Sequence, residues 1–242
     1  MCTVSFIPVR DKFFISSNRD EKNIRKAAFP PAVYWGSGSG LLYPKDADAG
    51  GSWISLHQNG NAAVLLNGAF EKHISQPPYR ASRGIIFLTI IGAERPVVVF
   101  TKIDLNNIEP FTVIIFENKC LYECRWDGTK KYCIQLKSHR PHIWSSATLY
   151  DKLIVQKREQ WFIQWLNKNP NPTQDDILNF HQFTGEGDTN NDLVMNRDGK
   201  MLTVSITGIE LDQFTGRMKY TDLKTNTVTQ QQFSFGLLQK VA

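Results

Sequence analysis

Two short runs open the chain, TVSFIP over residues 3–8 and KFFISS over 12–17, rich in β-branched and aromatic residues and joined by VRD. Runs of this composition with so short a joint predict an antiparallel hairpin, with Cys2 at the tip of its first strand. A second hairpin is predicted in GGSWISLHQNGNAAVLLNG, with strands over 52–57 and 61–67 turning at Asn59-Gly60; Asn67 ends it beside Gly68. Between the two, residues 22–49 carry Pro30-Pro31, WGSGSG and PKDADAGG, a composition that predicts a long surface loop with extended pieces.

From Ser82 the runs SRGIIFLTIIGA and PVVVFTKIDL read equally as helix or buried strand, because periodicity cannot separate the two at this length; Pro96 divides them either way. FTVIIFE, CLYECRW and KYCIQLK are predicted strands. Residues 148–168 place Leu149, Leu153, Ile154, Trp161, Phe162, Trp165 and Leu166 among charges, the pattern of an amphipathic helix whose aromatics belong to the core. Thr173 is the predicted cap of a second helix, TQDDILNFHQF, with Asp176 in its first turn. LTVSITGIEL, GRMKYTDL and TVTQQQFSF close the chain as strands. Strands, then helices, then strands predict an α+β layered fold with mostly antiparallel sheets.

Composition adds little to this picture. The chain has 242 residues, 41% hydrophobic and 21% charged, so one domain over residues 1–242 is expected, with core enough to need no metal or disulfide. The formal charge of +5 is spread without a dense basic run, which argues against a nucleic-acid partner. No secretory signal pattern is visible and IIFLTII is too short to span a bilayer, so a cytoplasmic protein without a transmembrane segment is expected. Of four cysteines, Cys120, Cys124 and Cys133 fall around a predicted turn at Asp127-Gly128 that sets Cys124 opposite Cys133. Reduced cysteines packing as small apolar residues are the expectation, with a redox pair or a weak metal site as alternatives; no metal centre is expected.

Cys2 changes the reading from fold to chemistry. With the initiator methionine removed, one residue supplies a thiol nucleophile and an α-amine of pKa about 7.7 to 8 to take its proton. Asp20, at the end of the neighbouring strand, is placed to orient that amine, Arg19 or Asn18 to polarise the thiol, and Asn67 to offer N–H to an oxyanion. These strand ends converge only if both hairpins lie in one sheet.

MCTVSFIP, SSNRDE, AGGSWISLHQNGNAAVLLNG, SRG at 82–84 and HIWSSATLYDK together resemble the NRDE proteins, also called the Transport and Golgi organisation family. That family is in turn similar to the N-terminal nucleophile hydrolases of the choloylglycine hydrolase and penicillin V acylase branch, which begin Met-Cys-Thr. The resemblance implies a four-layer αββα sandwich with two mostly antiparallel sheets. It also implies a catalytic set of Cys2, Arg19, Asp20 and Asn67 acting on an amide or ester bond of a small molecule, without a cofactor. Asn18, Ser146 and Arg197 are supporting candidates: Ser146 stands where those hydrolases carry an asparagine, and Arg197 in VMNRDGK matches a late arginine. A second expectation follows from relatives linked to lipid, acyl-CoA and haem handling, namely a non-catalytic binding or trafficking protein in which Cys2 is structural or an axial thiolate.

Overall fold

The computed structural model describes residues 3–36 and 39–235. The first hairpin pairs β1 (Thr3–Val9) with β2 (Lys12–Lys22) across a two-residue turn in which Arg10 takes a left-handed φ of 56°. β2 runs five residues beyond the run predicted from pattern, so the Asn-Arg-Asp-Glu cluster lies within a strand, and Asn18, Arg19 and Asp20 are buried.

The expected loop over residues 22–49 is corrected: it holds a further hairpin of β3 (Phe29–Gly36) and β4 (Ser39–Lys45). Proline misled because it cannot donate to a ladder, but β3 is an edge strand, where a missing donor costs little. β5 (Ile54–His57) and β6 (Ala62–Asn67) form the predicted hairpin, turning where Gly60 has a φ of +88°.

The two ambiguous runs are helices, α1 (Arg83–Ile91) and α2 (Pro96–Lys102). The Ser82 hydroxyl accepts from the Ile85 N–H and caps the first; Pro96 opens the second, where its missing N–H is harmless. Then follow β7 (Phe111–Glu117), β8 (Cys120–Trp126), β9 (Lys131–Leu136) and β10 (His142–Ser145), helices α3 (Lys152–Lys168) and α4 (Gln174–Phe183), and strands β11 (Asn196–Arg197), β12 (Met201–Leu211), β13 (Thr215–Asp222) and β14 (Thr227–Ser234).

Two antiparallel sheets result, one in the order β10-β1-β2-β12-β13-β14 with β11 on β12, the other in the order β3 to β9. Strand alternation sends Val4 and Phe6 into the core between the sheets and Ile7 and Phe14 to the opposite face, against Phe162 of α3 and Ile177 and Phe180 of α4. Helices α1 and α2 cover the outer face of the second sheet, burying Phe87, Ile90 and Phe100. The architecture is an αββα sandwich. Among the described residues no helix is long and apolar enough to cross a membrane.

Cys124 and Cys133 are directly opposed across β8 and β9 and form a disulfide, which corrects the expectation of reduced cysteines; Cys120 is unbonded. At α4, Thr173 and Asp176 make the reciprocal bonds of a capping box. We expect Thr173→Ala to lower stability by about 1 kcal/mol in urea unfolding, and Thr173→Ser to restore it.

Candidate active site

β1 and β2 set the site's frame. Thr3 pairs with Asn18 on one side and with Ser145 on the other, so the beginning of the chain lies beside the segment that carries Arg19 and Asp20. Cys2 itself lies outside the described residues. Because side chains alternate along β2, Arg19 faces the second sheet while Asn18 and Asp20 face the helices.

On the inter-sheet side, the Arg19 guanidinium lies over the Trp53 ring at 4.4 Å and pairs with Asp46, which also binds Arg25 at 2.9 Å. Burial pushes the Asp46 carboxyl up, but hydrogen bonds from Arg25 and the Ala49 N–H, with the Arg19 and Arg25 charges, hold it below its ordinary value. Asp46 is therefore an anion at neutral pH and fixes both arginines. These side chains line a cavity of about 420 Å³ whose far wall includes Asn67, Arg83 and Glu109. Arg83 donates to Glu109 at 3.1 Å, and burial lowers the Arg83 pKa.

Asn67 also lines a second, larger cavity of about 810 Å³, walled by Leu66, Phe70, Trp144, Leu149 and Val155 and opening between α3 and the end of β6. Asn67 therefore stands between two spaces, the smaller walled by the Arg19, Asp46, Arg83 and Glu109 charges and the larger by apolar side chains together with Lys72, Arg125 and Glu159. The condition that a shared sheet is needed for convergence is corrected here: β1–β2 and β5–β6 belong to different sheets, and Arg19 and Asn67 reach one cavity because the sheets pack face to face.

On the helix side, the Asp20 carboxylate accepts from the Tyr150 hydroxyl at 3.0 Å and the Thr203 hydroxyl at 2.5 Å. Asn18 donates to the carbonyls of His181 (3.1 Å) and Leu193 (2.7 Å), and its amide oxygen accepts from His181 Nδ1. With Nδ1 protonated, His181 Nε2 accepts from the Ser5 hydroxyl at 2.7 Å, and burial holds the imidazole neutral with a pKa pushed down to about 3. The arrangement has the order of a serine–histidine–amide relay, yet all three residues are fully buried, so it anchors β1 and β2 to α4.

The remaining candidates sit around this frame. Ser146 is buried and donates to the Asn67 carbonyl at 2.9 Å, so its hydroxyl braces the end of β6. Arg197 donates to the Leu149 carbonyl at 3.0 Å and lies 5.3 Å from the Tyr150 ring. Sequence reasoning missed Asp46, Trp53, Tyr150, Arg158 and Thr203. Only a polar residue inside an otherwise apolar run, as at Thr203, hinted at them; their partners are remote in sequence.

Residues 1–206 match the family described as Transport and Golgi organisation 2. None of the curated proteins matches the chain. Among solved structures, an arginine-to-leucine variant of conjugated bile acid hydrolase from Clostridium perfringens is similar at 11% identity and a TM-score of 0.59, over 95% of this chain and 92% of that one. A cysteine-to-alanine mutant of the same enzyme is similar at 11% identity and 0.55, over 96% of each chain. The Caenorhabditis elegans ortholog of N-acylethanolamine-hydrolyzing acid amidase is similar at 13% identity and 0.52, over 86% of this chain and 92% of that one. At such identities these likenesses show the fold, which is that of the N-terminal nucleophile hydrolases. With the family matched over most of its length, the chain belongs to the Transport and Golgi organisation 2 family.

Proposed function

We propose that the protein is an N-terminal cysteine nucleophile hydrolase that cleaves an amide or ester bond of a small molecule. The observation that carries this reading is the meeting of Arg19 and Asn67, from different sheets, on one cavity beside the strand end where the chain begins. With Met1 removed, the Cys2 amine takes the thiol proton and the thiolate attacks the substrate carbonyl. Asn67 donates to the oxyanion, Arg19 polarises the thiol, and Asp20, held by Tyr150 and Thr203, orients the ammonium. The ammonium returns its proton to the leaving amine or alcohol as the carbonyl–heteroatom bond breaks. Water then hydrolyses the thioester and restores the thiol. Asn18, Ser146 and Arg197 support these groups from behind. That the similar solved structures are amide hydrolases favours the same reaction class here.

The test is covalent labelling with a β-lactone probe, read by intact mass and peptide mapping. Loss of Met1 and a single adduct on Cys2 are expected, with none on Cys2→Ala and a slowed reaction on Asp20→Asn. Retained Met1 together with an unlabelled Cys2 would overturn the hydrolase reading.

The 810 Å³ cavity, whose wall joins apolar side chains to Lys72, Arg125 and Lys152, favours a second reading, binding of an amphipathic ligand such as a lipid, an acyl-CoA or haem. Its described wall residues include no histidine, cysteine or methionine, so a haem there would depend on Cys2 as axial thiolate. A visible absorption band that appears on haemin titration and survives gel filtration would support it.

A further inference from the structure

The cavity of about 420 Å³ sets Arg19, Arg25 and Arg83 against Glu21, Asp46 and Glu109, so its formal charges balance. Its hydrogen-bonding capacity does not. The Asp46 carboxylate is spent on Arg19, on two nitrogens of Arg25 and on the Asp48 and Ala49 N–H groups. Glu109 divides its oxygens between His73 at 3.2 Å and Arg83 at 3.1 Å, while Glu21 accepts from the Lys22 N–H and faces Arg25 at 3.7 Å. Donors are left over. Arg19 commits only Nη2, and Arg83 commits Nη2 to Glu109 and Nη1 to the Pro110 carbonyl at 3.3 Å. Among the described residues, Nε and Nη1 of Arg19 and Nε of Arg83 therefore have no acceptor, and none of the three is sealed in protein. Arg19 is 4% exposed, so what its uncommitted N–H groups can reach is the cavity. Arg83 is also the first residue of α1, a helix with no acidic residue in its first turn, so the helix dipole and burial both work against its charge.

We propose that this cavity binds the carboxylate of a small organic acid and that Arg83 is the residue that selects it. A ligand carboxylate supplies acceptors where the wall has spent its own, and hydrogen bonds from a guanidinium to a carboxylate are about twice as strong as neutral ones. It also gives Arg83 a negative charge that Glu109, shared with His73, offers only in part. A monoanion fits better than a phosphate dianion, because the balanced wall has no net positive charge to hold the second negative one. Asn67 borders the same cavity, which ties the acid group to the chemistry. Under the hydrolase reading, the substrate is an amide or ester that carries a carboxylate. That extension rests on the hydrolase reading; binding of the acid does not.

The experiment is calorimetric titration of the whole chain with glutarate, with glutaramide as its neutral isostere and with inorganic phosphate, in wild type, Arg83→Gln and Arg83→Lys. Where Arg83→Gln fails to fold because Glu109 is left unpaired, the double variant Arg83→Gln with Glu109→Gln removes both charges together; circular dichroism selects the folded proteins. Wild type is expected to bind glutarate about tenfold or more tightly than glutaramide or phosphate. The neutral variant is expected to weaken glutarate by about tenfold to hundredfold, the loss of a hydrogen bond to a charged group, with partial recovery in Arg83→Lys. Equal affinity for glutarate and glutaramide overturns the proposal, as does tighter binding of phosphate or undiminished glutarate binding in the neutral variant. A second arm compares kcat/KM for 4-nitrophenyl hydrogen glutarate and 4-nitrophenyl valerate, where a preference for the acidic ester that falls in the neutral variant is expected. Turnover of neither ester, with glutarate still bound through Arg83, overturns the hydrolase reading and leaves the acid site standing. Turnover without glutarate binding overturns the acid site and leaves the hydrolase.

Discussion

At pH 4.5 the wild-type protein is expected to be about 3 kcal/mol less stable than at pH 7.5, and His181→Gln is expected to remove most of that difference. His181 is fully buried, donates from Nδ1 to Asn18 and accepts at Nε2 from Ser5, so a second proton places an unsolvated charge in the core beside the Arg158 charge. In the unfolded chain a histidine takes up a proton below about 6.5; in the fold this one waits until about 3. The unfolded state therefore binds the extra proton throughout the interval. The stabilisation that comes from keeping His181 neutral is whole above pH 6.5 and falls by about 1.4 kcal/mol per unit as the pH drops towards 3. Carboxylates with depressed pKa values, such as Asp46, act only below about 4, which leaves the upper window to histidine. His57 is shifted the same way by burial and supplies the residual slope expected in the variant. Urea unfolding at the two pH values measures the difference. An unchanged slope in His181→Gln would mean that another group carries the acid sensitivity.

The network that makes this prediction joins residues far apart, Ser5 and Asn18 to His181, and that distance is why the sequence concealed it. What was legible was local. β-rich runs closed by short turns marked β1, β2, β5 and β6, a capping threonine marked α4, and an amphipathic stripe marked α3. IIFLTII resisted because a helix laid against a sheet and a buried strand carry the same continuous apolar run, and only the Ser82 cap and Pro96 at the first turn decide between them. β3 was hidden by Pro30-Pro31, whose penalty disappears at a sheet edge.

The site divides along the same line. Arg19, Asp20 and Asn67 were named from the sequence, and the fold brings Arg19 and Asn67 to one cavity while Asp20 turns to the other face of β2. That opposition is a consequence of adjacency in a strand. It assigns them different tasks, Arg19 towards the inter-sheet space and Asp20 towards the network of Tyr150 and Thr203. The groups that hold them, Asp46 on one side and Tyr150 on the other, come from loops whose spacing in sequence says nothing of their meeting.

Asn67→Ala is expected to slow acylation of Cys2 by a β-lactone by 10²- to 10³-fold while leaving its alkylation by iodoacetamide within about twofold. The two reagents consume the same thiolate, but only the lactone passes through a tetrahedral oxyanion. Removing an oxyanion donor therefore separates them, whereas a general change in thiol access or pKa moves both. Asn67 is suited to this task by its backbone. It is the last residue of β6, paired with Phe111, its carbonyl is braced by the Ser146 hydroxyl, and Gly68 at a φ of +80° turns the chain away behind it. The side chain stands where the two cavities meet, at a position set by a sheet and not by a loop. The loss corresponds to about 3 to 4 kcal/mol of transition-state stabilisation, far more than one exposed hydrogen bond contributes to folding, so a change in melting temperature does not account for it. Equal rates for the two reagents before and after the substitution would remove Asn67 from the chemistry and favour the binding protein over the hydrolase.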